Sequence, residues 1–211
     1  MKIALVAATG NIGRHIAARA LQRHHQVTAI ARSARTLGPE LAGAKLAVAA
    51  LDDSAALAEV VRGHDVLASA YGPGAADAST IVEATRHLIS AARASGVRRV
   101  VVVGGAGSLK VAPDVQLVDT PTFPAPYKPY ALAHREALGL LLAATDLDWT
   151  FYAPAAQIGP GEALGTFRTG AVNLIVGSDG HSRISYPDYA QAFVDEIEVP
   201  RFTKQVATVA Y

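Results

Sequence analysis

The first thirteen residues constrain the fold of this chain more than any other stretch. They read MKIALVAATGNIG, an aliphatic run followed at once by a turn of small residues. The run from Lys2 to Ala7 is short and aliphatic, as expected for a strand that is buried on both faces of a parallel sheet. Apolar residues then recur at helical spacing from Ile12 to Leu21. The pattern therefore predicts a strand, a tight turn and a helix.

A strand, turn and helix of this kind can bind a phosphate group. Small residues let the backbone approach a pyrophosphate closely, and the helix N-terminus offers free N–H donors. The turn follows the pattern Gly-x-x-Gly-x-x-Gly, with alanine in the first glycine position. We predict that a dinucleotide contacts Ala7, Thr9, Gly10, Asn11, Ile12 and Gly13. The alternative is a tight turn that binds no ligand.

Length and charge limit the class of protein. The 211 residues suit a single domain covering residues 1–211, and 19 basic residues nearly balance 18 acidic ones. We therefore expect neither a nucleic acid nor an anionic membrane as partner. No apolar stretch approaches the length that crosses a membrane. The absence of cysteine excludes disulfides and thiolate catalysis, and it fits a cytoplasmic location.

The residues after the second predicted strand indicate which dinucleotide is bound. That strand covers Gln26 to Ala31 and is followed by Arg32, Ser33 and Arg35. At this place a dinucleotide fold contacts the adenosine ribose, where an acid selects NAD and an arginine accommodates the phosphate of NADP. We predict that Arg32 binds this phosphate with help from Ser33 and Arg35, so that NADPH is preferred over NADH. The alternative is a surface arginine that closes a strand.

Two adjacent histidines precede this strand. His24 stands where a chain leaving a helix often has a glycine in the left-handed conformation, and it is a tolerable substitute. His24 and His25 have no third ligand nearby in the sequence, so we predict a solvated helix end there. We predict no metal site.

Strand and helix patterns alternate along the rest of the chain. Later strands are predicted at 45–51, 65–69, 99–103, 148–152 and 205–209, with short candidates at 165–169 and 172–176. Helices are predicted at 53–62, 79–94 and 131–144 and from Pro187, and the proline-rich segment 111–130 is predicted as an ordered loop beside the site. This alternation predicts an α/β Rossmann fold, a doubly wound parallel sheet, with a small C-terminal substrate lobe from about residue 155.

Open α/β sheets bind ligands at the carboxyl ends of their strands. We therefore expect Leu51 beside the adenine and small residues of the later strand ends beside the nicotinamide half of the cofactor. The further predicted cofactor contacts are Ala70, Tyr71, Gly72, Gly104, Pro154 and Ala155. For Tyr71 and the glycines, ordinary packing of loop residues is the alternative.

With these pieces placed, the whole chain resembles atypical short-chain dehydrogenase/reductases. It is similar to the NAD(P)H-binding group that contains flavin/biliverdin reductases and NmrA-like proteins. The segments that carry the resemblance are AATGNIG, AIARSARTL, VVVVGGAGSL, LDWTFYAPAAQIGPG and SRISYPDYAQAFVDEIE. The resemblance implies a Rossmann fold and a nicotinamide cofactor.

The chain departs from these families at the chemical site. Their well-studied dehydrogenases use Tyr-x-x-x-Lys as a proton-donating pair, whereas here Tyr130 is followed four residues later by His134. Gln157 stands where flavin/biliverdin reductases have a histidine. Tyr130 and His134 are the candidate catalytic pair, because they share one helix face. The alternative is that both are ordinary residues of an amphipathic helix.

These observations lead to a leading expectation and two alternatives. We expect an NADPH-dependent oxidoreductase that transfers hydride to a small, planar acceptor such as a flavin or quinone. One alternative is a regulatory protein of NmrA type that senses the cofactor without turnover. The other is a sugar-nucleotide epimerase or dehydratase, which the missing Tyr-Lys pair disfavours. The sequence leaves the acceptor and the oligomeric state open.

Overall fold

The computed structural model describes residues 1–34, 36–74 and 77–211. The strands are β1 (Lys2–Val6), β2 (Gln26–Ala31), β3 (Lys45–Val48), β4 (Val66–Ser69), β5 (Arg99–Val103), β6 (Lys110–Ala112), β7 (Val115–Gln116), β8 (Asp148–Ala153), β9 (Gln157–Gly159), β10 (Arg168–Gly170), β11 (Arg183–Ser185) and β12 (Gln205–Ala210). The α-helices are α1 (Asn11–Gln22), α2 (Ser54–Val61), α3 (Thr80–Ser95), α4 (Lys128–Ala143) and α5 (Tyr186–Glu198).

Eight of these strands form one sheet in the order β10-β12-β8-β5-β4-β1-β2-β3. Every neighbouring pair is parallel except β10 with β12, which is antiparallel at the edge. The chain winds outward in one direction from β1 to β3 and in the other from β4 to β12. The predicted doubly wound Rossmann sheet is confirmed, and its topological switch point lies between β1 and β4.

Helices cover both faces of the sheet. Alternate residues of β1 point to opposite sides: Ile3 and Leu5 pack in one hydrophobic cluster with residues of α1 and α5, whereas Ala4 and Val6 pack in another with residues of α2, α3 and α4. The central strands β1, β4 and β5 are therefore buried on both faces, which explains their largely aliphatic sequences. In the described part of the chain, no helix combines the length and apolarity needed to cross a membrane.

The segment after residue 155 divides between the main sheet and a smaller unit. β12 pairs with β8, and α5 packs against α1, so both belong to the main layers. β9 and β11 form a separate two-stranded parallel sheet beside them. The part that can act as a substrate lobe is thus smaller than the whole C-terminal segment.

Several predicted boundaries were wrong. α4 begins at Lys128, not at residue 131, because Pro129 lies in its first turn, where a missing N–H is harmless. The segment 111–130 holds part of a short hairpin of β6 and β7 instead of only irregular loop. No strand covers 172–176, where only an isolated bridge joins Lys110 to Asn173. β9 and β11, three residues each, were not predicted.

The two histidines after α1 have different surroundings. His24 has a φ of 61°, which confirms its left-handed conformation. The prediction of a solvated helix end is wrong for His25, whose Nε2 lies 2.7 Å from a Glu198 carboxylate oxygen. Its Nδ1 lies 3.1 Å from the N-terminal amine. Among the described residues, no three or more His, Cys, Asp or Glu side chains are grouped so that they could hold a metal ion.

Candidate functional site

The turn between β1 and α1 brings strand and helix into very close contact. Ala7 has a φ of 57°, and its carbonyl oxygen accepts a hydrogen bond of 3.1 Å from the Gly10 N–H. A β-carbon on Gly13 would overlap the Ala7 carbonyl oxygen and lie 3.0 Å from Cα of Ala8. Glycine at position 13 is therefore a steric requirement of this turn.

The N-terminus of α1 is open to an anion. Gly10 occupies the N-cap position, no side chain caps the helix, and no acidic residue lies in its first turn. The first N–H groups of a helix have no partner within it. Asn11 is exposed, whereas Ile12 packs against the core. This end of α1 can therefore donate N–H groups to a phosphate, favoured by the helix dipole.

A cleft of about 310 Å³ lies at the carboxyl ends of the strands on this side of the sheet. It brings together predicted contact residues from four separate segments of the chain. These are Ala7, Thr9, Gly10, Arg32, Leu51, Tyr71 and Gly72. Their convergence agrees with the switch-point position, and their contact with a ligand remains a prediction.

Arg32 is the basic side chain of this cleft. It is exposed, and it forms no ion pair with any residue that the structure describes. Its guanidinium donors are therefore available to an anion. Ser33 is exposed as well but does not line the cleft, and Arg35 lies outside the described residues.

A second chamber, of about 690 Å³, lies at the carboxyl ends of β5 and β8. The predicted residues Tyr130, His134, Pro154 and Ala155 all line it. We call this cavity the acceptor chamber. The lining residues that the sequence did not single out are Leu117, Thr120, Thr122, Phe123, Pro124 and Tyr127. Their only signal was the proline-rich segment itself, predicted to lie beside the site. Gln157, which stands where flavin/biliverdin reductases have a histidine, also lines the chamber, as does Ile158.

The glycines after β5 are explained by packing. A β-carbon on Gly104 would lie 2.6 Å from Cδ1 of Phe151, and one on Gly105 would lie 2.8 Å from Cδ2 of His134. Gly104 lines neither cavity. Ala70, another predicted contact, also lines neither and packs against the core. Close packing, the alternative for Gly104, therefore accounts for that residue without a ligand, and its partner is the side chain of Phe151 in β8.

His134 lies in a largely apolar environment. Its ring packs edge-on against Phe151, with ring centroids 6.2 Å apart, and it makes no hydrogen bond to any described residue. Burial lowers the pKa of His134 from 6.5 to about 4. The imidazole is therefore neutral at pH 7, so it is not a standing acid that donates a proton from its charged form.

Two further side chains that could donate a proton, those of Ser108 and Lys128, lie outside the acceptor chamber. Ser108 is buried, and its Oγ has no hydrogen-bond partner among the described residues. Lys128 is exposed in the first turn of α4. Neither lines the chamber. Of these four side chains, only those of Tyr130 and His134 line the chamber.

A buried carboxylate holds the loop that follows β9. Asp188 accepts hydrogen bonds from the backbone N–H groups of Leu164, at 2.8 Å, and Gly165, at 3.0 Å. The Tyr211 hydroxyl donates a third bond at 2.7 Å. Burial raises the pKa of Asp188, but these hydrogen bonds outweigh it and hold the pKa below its ordinary value. The motif SYPDY thus fixes the loop after Gln157.

Known proteins match over most of the chain. A family described as NAD(P)H-binding matches residues 7–198. A "putative exported protein" of Burkholderia pseudomallei has 55% identity, a TM-score of 0.94 and full coverage of both chains. A "putative epimerase" of Bacteroides thetaiotaomicron has 33% identity and a TM-score of 0.90, covering 100% of this chain and 96% of its own.

A third similar structure carries the name of a reductase. It is a "putative NADH-flavin reductase" of Streptococcus pneumoniae TIGR4, with 31% identity and a TM-score of 0.89, covering 100% of this chain and 99% of its own. The family match spans the turn at Ala7, Arg32 and both cavities. The chain belongs to the NAD(P)H-binding family of Rossmann-like proteins, which use a nicotinamide cofactor.

Proposed function

We propose that this protein is an NADPH-dependent reductase that transfers hydride to a planar acceptor such as a flavin or a quinone. The observation that carries this proposal is the acceptor chamber. It lies at the carboxyl ends of β5 and β8, where we expect the nicotinamide, it has aromatic side chains, and it offers no Tyr-x-x-x-Lys pair. The name of the Streptococcus pneumoniae relative supports the same chemistry.

The residues of the first cleft fit a dinucleotide phosphate. The close approach at Gly13 and the uncapped start of α1 leave backbone donors for the pyrophosphate. Arg32 would hold the additional phosphate of NADPH, and Leu51 would lie beside the adenine. Pro154 and Ala155 would border the nicotinamide, which supplies a hydride when the cofactor is bound.

The balance of protons favours an acceptor that needs no protein acid. Reduction consumes NADPH, one proton and the acceptor, and it yields NADP⁺ and the acceptor with two added hydrogens. A positioned acid contributes about 10²- to 10⁴-fold to such a proton transfer, but His134 is neutral at pH 7 because its pKa is about 4. A flavin or quinone spreads the incoming charge over its rings and takes the proton from solvent.

The first test measures the dinucleotide preference. We expect NADPH to bind more tightly than NADH, and Arg32→Glu to weaken NADPH binding by about 1.5 to 3 kcal/mol, the value of a charge-assisted hydrogen bond. Arg62→Glu makes the same charge change at the exposed end of α2 and should have no effect. Equal dissociation constants for NADPH and NADH would contradict the proposed preference.

The second test measures turnover. We expect NADPH oxidation with riboflavin, quinones or redox dyes, and little with simple ketones or nucleotide sugars. Tyr130→Phe and His134→Ala should retain most of this activity. Tight NADPH binding without oxidation by any acceptor would instead favour a cofactor sensor of NmrA type. We also propose a cytoplasmic location, which the absence of cysteine supports.

A further inference from the structure

The charge of the acceptor chamber restricts what can enter it. We infer that the chamber selects an uncharged planar acceptor, a quinone or a flavin without phosphate, and discriminates against phosphorylated flavins and sugar nucleotides. This inference deepens the proposed function and rests on it for the identity of the chamber.

No Lys, Arg, Asp or Glu side chain lines the chamber in the described part of the chain. The basic side chain that does line it, His134, is neutral at pH 7, because burial lowers its pKa to about 4. A phosphate placed against this lining would lose part of its hydration without gaining a positively charged donor, which disfavours it. The chamber therefore offers a phosphate only neutral hydrogen-bond donors and no positive charge.

The basic side chains of the neighbouring segments do not line the chamber, and two of them pair with carboxylates. Arg135 donates to both carboxylate oxygens of Asp119 at 2.9 Å. Lys110 lies 3.3 Å from a carboxylate oxygen of Asp114. Lys128 is exposed and does not line the chamber. The first cleft differs, because Arg32 and the uncapped start of α1 equip it for anions.

The walls suit a flat ring. Phe123, Tyr127 and Tyr130 come from one segment, and Pro154 and Ile158 from another, so an aromatic wall and an apolar wall border the same space. Aromatic side chains favour stacked or edge-on contact with a second ring. The lining also has neutral polar side chains, those of Thr120, Thr122 and Gln157, that can donate hydrogen bonds to ring carbonyl groups. A ring with carbonyl oxygens and no net charge matches both features.

The test compares pairs of probes that differ in charge. The protein saturated with oxidised dinucleotide is titrated with riboflavin and with FMN, following flavin fluorescence, so that no turnover occurs. Menadione and a sulfonated naphthoquinone form the second pair, measured by competition. We expect the neutral probe of each pair to bind at least about tenfold more tightly, the effect of one charge-assisted contact.

A variant tests whether the lack of a positive charge on the lining causes the preference for riboflavin over FMN. Thr122→Lys places a cation on the lining and should narrow the preference for riboflavin over FMN, whereas Leu132→Lys, on the exposed face of α4, should not. Equal binding of FMN and riboflavin by the parent protein, or no binding of either neutral probe, overturns the inference.

Failure of the inference can be told apart from failure of the proposed function. Equal binding of the two flavins, together with NADPH oxidation by both, would contradict the charge selection and support the reductase function. Selective binding of riboflavin without NADPH oxidation would support the charge selection and contradict the reductase function.

Discussion

The carbonyl oxygen of Ala7 occupies the space that a β-carbon on residue 13 would need. Gly13 can therefore pack directly on the end of β1, and α1 starts close enough for its N–H groups to face the cleft. A β-carbon on Gly10 would lie 3.4 Å from the same oxygen, which is an ordinary contact. Steric overlap therefore requires glycine at position 13 but not at position 10.

Gly13→Ala should lower the free energy of unfolding by about 1 to 3 kcal/mol, because the added carbon overpacks the turn. Gly10→Ala is the matched control, and it should cost less than Gly13→Ala, because its β-carbon has room and only the N-cap preference for glycine over alanine is lost. Chemical denaturation of both variants measures the difference. Equal stabilities of the two variants would show that strand and helix are further apart than described.

Ala7→Gly is expected to stabilise the protein. Ala7 has a φ of 57°, a conformation that costs an L-residue about 1 kcal/mol and glycine nothing. The greater chain entropy of unfolded glycine offsets part of this gain, so we expect an increase of at most about 1 kcal/mol in the free energy of unfolding. Ala8→Gly, which removes a fully buried methyl group, should destabilise the protein instead. A loss of stability in Ala7→Gly would contradict the expectation.

The parts of the fold that the sequence predicted depend on local patterns. β1, β2 and β5 are short, mostly aliphatic segments. Each is followed by small or polar residues, so the local sequence was enough to predict these strands. The role of Gly13 in the turn could be predicted because the close approach of a strand and a helix requires a glycine at that position.

The acceptor chamber could not be derived in this way. Phe123 and Tyr127 line it only because the proline-rich segment folds back toward residues that follow β8, a contact that no local pattern records. β9 and β11 are three residues long and pair across a separation of 26 positions, from Gln157 to Arg183. The hydrogen bonds of Asp188 to Leu164 and Gly165 depend on the same long-range packing.

The stability of the protein should fall below neutral pH in part through His134. Its pKa is about 4 in the folded protein and 6.5 when it is free of burial. Above pH 6.5 the ring is neutral in both states; between pH 6.5 and 4 only the unfolded chain binds the proton, so the free energy of unfolding decreases as pH falls. We expect a contribution of about 1 to 2 kcal/mol between pH 7 and pH 5.

Replacing the ring separates titration from packing at this position. His134→Gln should make the decrease in stability between pH 7 and pH 5 smaller than in the parent protein. Phe151→Leu disturbs the same contact but keeps the imidazole, so the stability of this variant should still decrease between pH 7 and pH 5. Denaturant titrations at pH 5 and pH 7 measure both. An unchanged pH dependence in His134→Gln would contradict the lowered pKa.

A buried ion pair joins Arg99 and Glu196, and removal of one partner should be costly because the other charge would stay buried. Their side chains are 11% and 2% exposed, and the guanidinium Nη2 lies 2.8 Å from Oε1 of Glu196. Glu196 also accepts backbone hydrogen bonds from Arg201, at 3.0 Å, and Phe202, at 3.1 Å. The carboxylate thereby ties α5 to β5 and to the chain that enters β12.

Glu196→Ala should lower the free energy of unfolding by about 3 to 5 kcal/mol, because it leaves a buried guanidinium without its partner. Glu196→Gln retains an oxygen acceptor and should lose less. The control is Asp146→Ala, which breaks the ion pair between Asp146 and Arg93. The side chains of Arg93 and Asp146 are 50% and 53% exposed, so this variant should lower the free energy of unfolding by less than about 1 kcal/mol. Denaturation of the three variants measures these differences. Equal losses from Glu196→Ala and Asp146→Ala would contradict the argument, since burial is what distinguishes the two pairs.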